Sequence, residues 1–321
     1  VGAALGAAVN PAHYERGWHA TSTIGSLACA AAAAVILDLD VGATRAALGL
    51  AASLASGLKE NFGSMTKPFH AGHAARNGVG AAMLAREGLS ASETALEGTQ
   101  GYFAAFGAAH DLTETLAGLG KRWQLLESGI AVKPYPSCAL THSALDALLE
   151  LRERHQLDPD HVAQVEVGVA RVVPNVLIHA HPATALERKF SMQFCAAAAL
   201  ADGRVDLGSF EDGPPRPAVE KLMSRVSMVV DSDLPPGRDQ HAWSRVVIRL
   251  SDGRTLASLP RGAQGHPDQP MSEGALHAKF LTCAERVMSR AQAEAVAEQV
   301  GAFEHIPDIR ALTSRLTGDL D

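Results

Sequence analysis

The 321-residue chain carries 28 Lys and Arg against 35 Asp and Glu, a formal charge of −7. That balance offers no basic field for nucleic acid, so any anionic ligand has to be met by a local cluster of cations. Hydrophobic residues make up 47% and charged residues 20%, an ordinary mix for a soluble globular protein with a sizeable core.

Aromatics are scarce at 5%, while alanine comes in runs such as Ala30 to Ala34, and alanine is the best helix former. The longest apolar run, Leu27 to Leu37, is too short to cross a bilayer. Nothing resembles a signal peptide, and Cys29, Cys138, Cys195 and Cys283 are scattered without a C-x-x-C pair. They read as reduced thiols of a cytoplasmic protein with no membrane partner.

In chain order, Thr21, Ser22 and Thr23 are expected to cap a helix running through Ile24 to Leu37. A second helix is expected over Gly42 to Ser56, ending near Gly57. The polar segment Lys59 to Pro68 interrupts the pattern, and a third helix follows from about His70 to Arg86. Glycine-rich helix and loop segments extend to Gly129. At Lys133-Pro134-Tyr135-Pro136 the texture changes. One further helix (about Cys138 to His155) leads into Val162 to Val169, which alternates as a half-buried strand should. Arg245 to Leu250 and Thr255 to Leu259 read as a hairpin about Ser251-Asp252-Gly253-Arg254. Helices are expected at Phe190 to Ala201 and near Ala218 to Val226, and again from Ser272 onward. The expected fold is therefore mainly α: a helical domain of residues 1–132 and 271–321, interrupted by a smaller α+β lid of residues 133–270.

Three stretches carry more polar and special residues than packing requires. In Gly17-Trp18-His19-Ala20-Thr21-Ser22-Thr23, His19 precedes a helix start, where the macrodipole favours neutral imidazole and hence a base or neutral donor. The plainer reading is a histidine that only hydrogen-bonds the cap. In Thr66-Lys67-Pro68-Phe69-His70-Ala71-Gly72-His73, Pro68 is expected to hold Lys67 extended beside free N–H groups, a combination that suits a carboxylate. The alternative is a solvated loop lysine. His70 and His73 share a helix face, but no third ligand lies near in sequence, so no metal is expected. In Lys133-Pro134-Tyr135-Pro136-Ser137-Cys138-Ala139-Leu140-Thr141-His142, two prolines stiffen a helix start that offers Lys133, Ser137 and Cys138 to one point. Cys138 there is either an activated thiol or a half-buried one. His179-Ala180-His181-Pro182 reads as a loop.

With GWHATSTIG, NFGSMTKPFHAGHAARNG, KPYPSCALTH, ERKFSMQF followed by ALADG, and GHPDQPMS, the chain resembles the MmgE/PrpD family over essentially its whole length. That family includes 2-methylcitrate dehydratase, cis-aconitate decarboxylase and iminodisuccinate epimerase; the wording here looks most like the epimerase branch. The resemblance implies a homodimer without metal or organic cofactor, acting on a small polycarboxylic acid at a site between the two domains. By motif it carries over His19, Lys67 and Lys133; epimerisation would also need an acid across the substrate from the base, for which His142 or Cys138 could serve because Lys133 to His142 begins the other domain. Thr21, Ser22, Thr66, His70, Arg76, Ser137 and Cys138 are the expected substrate contacts.

Cys138 stands where the decarboxylase branch has a histidine, and Phe194 where several members have a tyrosine; the first disfavours decarboxylation. Family members usually have a further segment before this point, with an Asp-rich stretch and a His-Pro-Ser. This chain begins after that segment, as a fragment or a shortened member would, which keeps open a non-catalytic paralogue or dimeric scaffold. A metal hydrolase using His70, His73, His179 or His181 lacks carboxylate ligands. The chemistry implied is proton removal next to a carboxylate, with cations and helix N-termini stabilising the charge that develops.

Overall fold

The computed structural model describes residues 1–107, 113, 117–235 and 242–316. Part of the glycine-rich stretch expected up to Gly129 lies outside the described residues. The chain divides into two units, Val1–Gly129 and Ile130–Asp321.

The first unit is helical: α1 (Gly2–Val9), α2 (Ala12–Glu15), α3 (Ala20–Ile36), α4 (Val41–Leu54), α5 (Thr66–Arg86), α6 (Tyr102–Phe106) and α7 (Gln124–Glu127). The alanine bias explains its packing. Ala30, Ala51, Ala74, Ala81 and Ala82 are fully or almost fully buried, so α3, α4 and α5 meet through side chains too small to hold their backbones apart. At Gly78 the approach is closest. A Cβ built there would lie 2.5 Å from the Cys29 Cβ and 2.6 Å from the Ala30 nitrogen.

Gly78→Ala is therefore expected to lower stability by about 1–3 kcal/mol, because the obstacle is backbone of α3 rather than a movable side chain. Gly80→Ala is its control. Beyond its own stretch of helix backbone no atom lies within 4 Å of the added methyl, and the substitution should gain up to about 1 kcal/mol from helix propensity. Urea midpoints of both variants check the pair; equal midpoints would refute the close-contact argument.

Three expectations for this unit are corrected. Helix α3 starts at Ala20, with His19 itself at the N-cap position (φ −87°, ψ 103°), so Thr21, Ser22 and Thr23 form its first turn rather than its cap. Helix α4 is capped by Asp40, whose carboxylate accepts from the Ala43 amide at 2.8 Å, and it ends at Leu54. Gly57, at φ +133°, lies beyond it in extended chain. Helix α5 begins at Thr66, so Lys67 is helical and not held extended by Pro68. A proline in the first turn removes an N–H that has no intrahelical partner anyway, which outweighs the restriction it places on its neighbour.

The second unit is α+β. Its helices are α8 (His142–Arg154), α9 (Ala185–Arg188), α10 (Met192–Asp202), α11 (Pro217–Met223), α12 (Glu273–Ala284), α13 (Arg290–Gly301) and α14 (Arg310–Leu316). Its strands β1 (Val162–Val169), β2 (Val226–Val230), β3 (Ser244–Leu250) and β4 (Thr255–Ala257) form one sheet in the order β2-β1-β3-β4. β1 runs parallel to β2 and antiparallel to β3, and β3–β4 is the expected hairpin. Val165, Val167 and Val169 of β1 and Ile248 of β3 join Leu145 and Leu148 of α8 and Met192 and Leu200 of α10 in the core. The helix expected near Ala218 to Val226 would have included the first residue of β2. Helix α11 stops at Met223, and the β-branched run from Val226 pairs beside β1 instead.

Residues 271–321, expected with the first domain, group with the second unit. Helices α12 and α13 bury Leu281, Ala284 and Ala293 in a small cluster of their own, and Arg286 reaches Glu211 at 2.9 Å. No helix among the described residues is long and apolar enough to cross a membrane.

Candidate functional site

In the first unit His19 is fixed from three sides. Its amide donates to the Gly57 carbonyl at 2.9 Å, and the Lys59 amide donates to the Gly17 carbonyl at 2.8 Å, making an isolated antiparallel bridge at Trp18 and Leu58. Gly57 is required there, since a Cβ would meet the Ser22 Cβ at 2.7 Å and the positive φ already disfavours other residues. From behind, the Thr23 hydroxyl donates to the His19 carbonyl (3.3 Å) and accepts from Nε2 of the fully buried His13 (2.9 Å). A hydroxyl has one proton to give, so the second contact makes His13 the donor.

The His19 side chain meets His70 of α5, Nδ1 to Nδ1, at 2.9 Å. Both histidines are buried, and the His19 ring stands edge-on to Phe62, with ring centroids 4.9 Å apart. Lys67 places Nζ 4.9 Å from the centre of the same Phe62 ring. Burial first, then the Lys67 charge and His70, lower the His19 pKa from 6.5 to about 4. His70 is lowered by burial, His73 and Lys67, in that order. A neutral imidazole beside an ammonium group is the result. Two turns along the same face of α5, the Asn77 amide nitrogen lies 3.0 Å from His73 Nε2 and donates to the Leu54 carbonyl at 3.1 Å.

Among the expected contacts, Thr66 opens α5 half-buried, one residue before Lys67. Ser22 is sealed beneath Gly57 with its hydroxyl unpaired, while Thr21 and Arg76 are exposed and enter none of these contacts.

The second unit gathers the other group. Lys133 Nζ donates to the Ser137 carbonyl at 3.2 Å, and His142 Nε2 lies 3.3 Å from the same oxygen. A carbonyl only accepts, so Nε2 is the protonated nitrogen. Burial, then Lys133, lowers the His142 pKa to about 4. The ring is edge-on to Tyr135 at 5.3 Å, and the Tyr135 hydroxyl donates to Asp146 at 2.7 Å. The Ser137 hydroxyl is bonded to Thr141 (2.8 Å). Half-buried Cys138 donates its amide to the Lys189 carbonyl at 2.8 Å. The expected helix at Cys138 is a 3₁₀ turn, Ala139–Thr141, that leads into α8.

Phe62, His13 and Asn77 were not singled out from the sequence, and Gly57 was read only as a helix end. Phe62 alone had a legible signal, as the one aromatic residue in a polar segment. No group of three or more His, Cys, Asp or Glu side chains able to hold a metal ion occurs among the described residues.

The helical unit thus holds a neutral histidine pair beside a lysine, and the α+β unit holds a second lysine and histidine, groups able to exchange protons and to meet an anion. Residues 1–115 match the MmgE/PrpD N-terminal domain and residues 135–304 the MmgE/PrpD C-terminal domain. The chain belongs to the MmgE/PrpD family. It is 31% identical to cis-aconitate decarboxylase of Mus musculus over 309 residues, covering 94% of this chain and 62% of that protein. For cis-aconitate decarboxylase of Homo sapiens the values are 31%, 94% and 63%. The cis-aconitate decarboxylase-like protein oryM of Aspergillus oryzae is 28% identical over 327 residues, covering 95% of this chain and 66% of that protein. The chain thus spans less than two thirds of the length of these relatives.

Proposed function

We propose that this chain is a metal-independent lyase or isomerase of its family that removes a proton next to a carboxylate of a small polycarboxylic acid. The observation that carries this reading is the buried pair of His19 and His70 with Lys67 alongside. His19 is the general acid or base, and Lys67 holds the carboxylate on which charge develops. Lys133 and His142 are the second cation and the second proton-handling group. Dehydration expels a β-hydroxyl from the carbanion; epimerisation returns a proton to its opposite face. Both need only groups of the kinds described. A cytoplasmic homodimer, with residues 133–270 acting as a lid, belongs to the same reading and is supported by the family.

Decarboxylation of cis-aconitate is the second reading, favoured by the names of the three relatives; Cys138 in place of a histidine weighs against it. The deciding experiment follows α-proton exchange in D₂O by NMR over a panel of di- and tricarboxylates, with CO₂ release measured on cis-aconitate. Exchange without CO₂ supports the first reading, and CO₂ release the second. Neither signal on any acid would leave the non-catalytic paralogue.

Because the described residues offer no cluster of histidine and carboxylate ligands, exhaustive EDTA treatment is expected to leave exchange intact. Loss of activity restored by one divalent metal would overturn that expectation.

A further inference from the structure

The contact between His19 and His70 has a strict chemical requirement. Two nitrogen lone pairs do not sit 2.9 Å apart, so one Nδ1 carries a hydrogen and donates to the other. In a neutral pair this sets opposite tautomers. The ring donating through Nδ1 has a bare, basic Nε2. The ring accepting through Nδ1 keeps its proton on Nε2 and is an acid there. Neither Nε2 hydrogen-bonds to the chain among the described residues, and neither is among its buried unpaired atoms. The pair therefore presents one base and one acid from two different helices, α3 and α5.

We propose that His19 and His70 form a proton relay, in which each ring handles a proton at its own Nε2 and the two rings exchange one through the Nδ1–Nδ1 contact. This rests on the reading of His19 as the acid–base group. As the substrate C–H bond breaks, its electron pair stays on carbon and the proton forms a new N–H bond at the basic Nε2. The Nδ1 proton of that ring crosses to the other Nδ1, and the second ring gives up its Nε2 proton to the leaving hydroxyl, to the opposite face of carbon, or to water. One proton enters, one leaves, and the pair ends neutral with its tautomers exchanged; the reverse shift restores it.

The surroundings favour a shift over a stored charge. Lys67 and His73 on α5 and the Phe62 ring face the pair, and no carboxylate near it stabilises an imidazolium among the described residues. A concerted relay moves a proton through this place without leaving a second cation beside Lys67.

The test is made first on the full chain without substrate. With ¹⁵N in the histidine rings, long-range proton–nitrogen correlation at neutral pH reports which nitrogen of each ring is protonated, assigned through His19→Asn and His70→Asn. The expected result is two neutral rings, one protonated at Nδ1 and the other at Nε2. Identical tautomers, or an imidazolium in either ring, overturn the relay.

The second measurement is the rate in H₂O–D₂O mixtures with the acid found by the exchange assay. The wild type should give a bowed dependence, from two protons in flight. His70→Asn should give a straight line, with kcat lowered roughly ten- to a hundredfold and KM unchanged. A straight line in the wild type, or an unaltered curve in the variant, overturns the relay even with opposite tautomers. Should His70→Asn fail to fold, the wild-type spectrum and wild-type curve still decide. Opposite tautomers with no exchange on any acid would sink the functional reading and the relay with it, whereas like tautomers sink the relay alone.

Discussion

His19→Asn is expected to lower kcat by roughly 10²–10⁴ while leaving KM nearly unchanged, the loss that removal of a general acid or base produces. The substitution is chosen for the position. His19 occupies the N-cap of α3 with extended backbone, and asparagine is among the best residues there, so the helix start and the bridge to Gly57 should survive. Asparagine can still hydrogen-bond to His70 but cannot take up a proton. Lys67→Met is the contrasting variant. It removes the cation and keeps a long apolar stem against Phe62, so both KM and kcat should worsen. A His19→Asn protein with wild-type turnover on an established substrate would show that the proton is handled elsewhere.

Acid should destabilise both units well above the pH at which surface carboxylates titrate. His13, His19 and His142 are buried, and each has its pKa lowered from 6.5 to about 4, chiefly by that burial. The unfolded chain takes up these protons as pH falls below 6.5, and the folded chain does not until about 4. The stability each contributes is thus fully present above 6.5 and is lost as pH falls through that window. At 1.36 kcal/mol per pH unit the loss is on the order of 3 kcal/mol per histidine, a large part of a domain's net stability. Urea midpoints from about pH 8 to about pH 4, with the histidine Cε1–H resonances followed in parallel, check it. Resonances titrating near the ordinary value, or a flat urea midpoint, would contradict the burial argument. The acid limb of kcat/KM should fall in the same low range, with an apparent pKa belonging to the His19–His70 pair and not to either ring.

Much of this protein is legible in one dimension because its determinants are local. The β1 alternation from Val162 to Val169 reads directly as a strand with one face inward, and Ser251-Asp252-Gly253-Arg254 as the turn of a hairpin. Alanine runs read as helix, and the motifs around His19, Lys67 and Lys133 read as a family. Errors fall where a local rule met a tertiary one. Pro68 does not hold Lys67 out of α5, because the first turn of a helix tolerates a missing N–H. Gly57 does not end α4, because its conformation serves the chain that passes His19. Strand β2 is invisible as a strand until β1 lies beside it, since a short apolar run has no period of its own.

The site divides in the same way. Sequence by itself determined which residue types are available for proton transfer near a carboxylate: a histidine just before a helix start and two lysines next to prolines. Tertiary structure alone decided that His19 meets His70 across 51 positions of chain, nitrogen to nitrogen, with Phe62 and Lys67 around them. The reason is physical. A residue's chemistry is carried by its own atoms and can be read in isolation, whereas its tautomer, its charge and its partner follow from what the packing of α3 against α5 brings within hydrogen-bond reach.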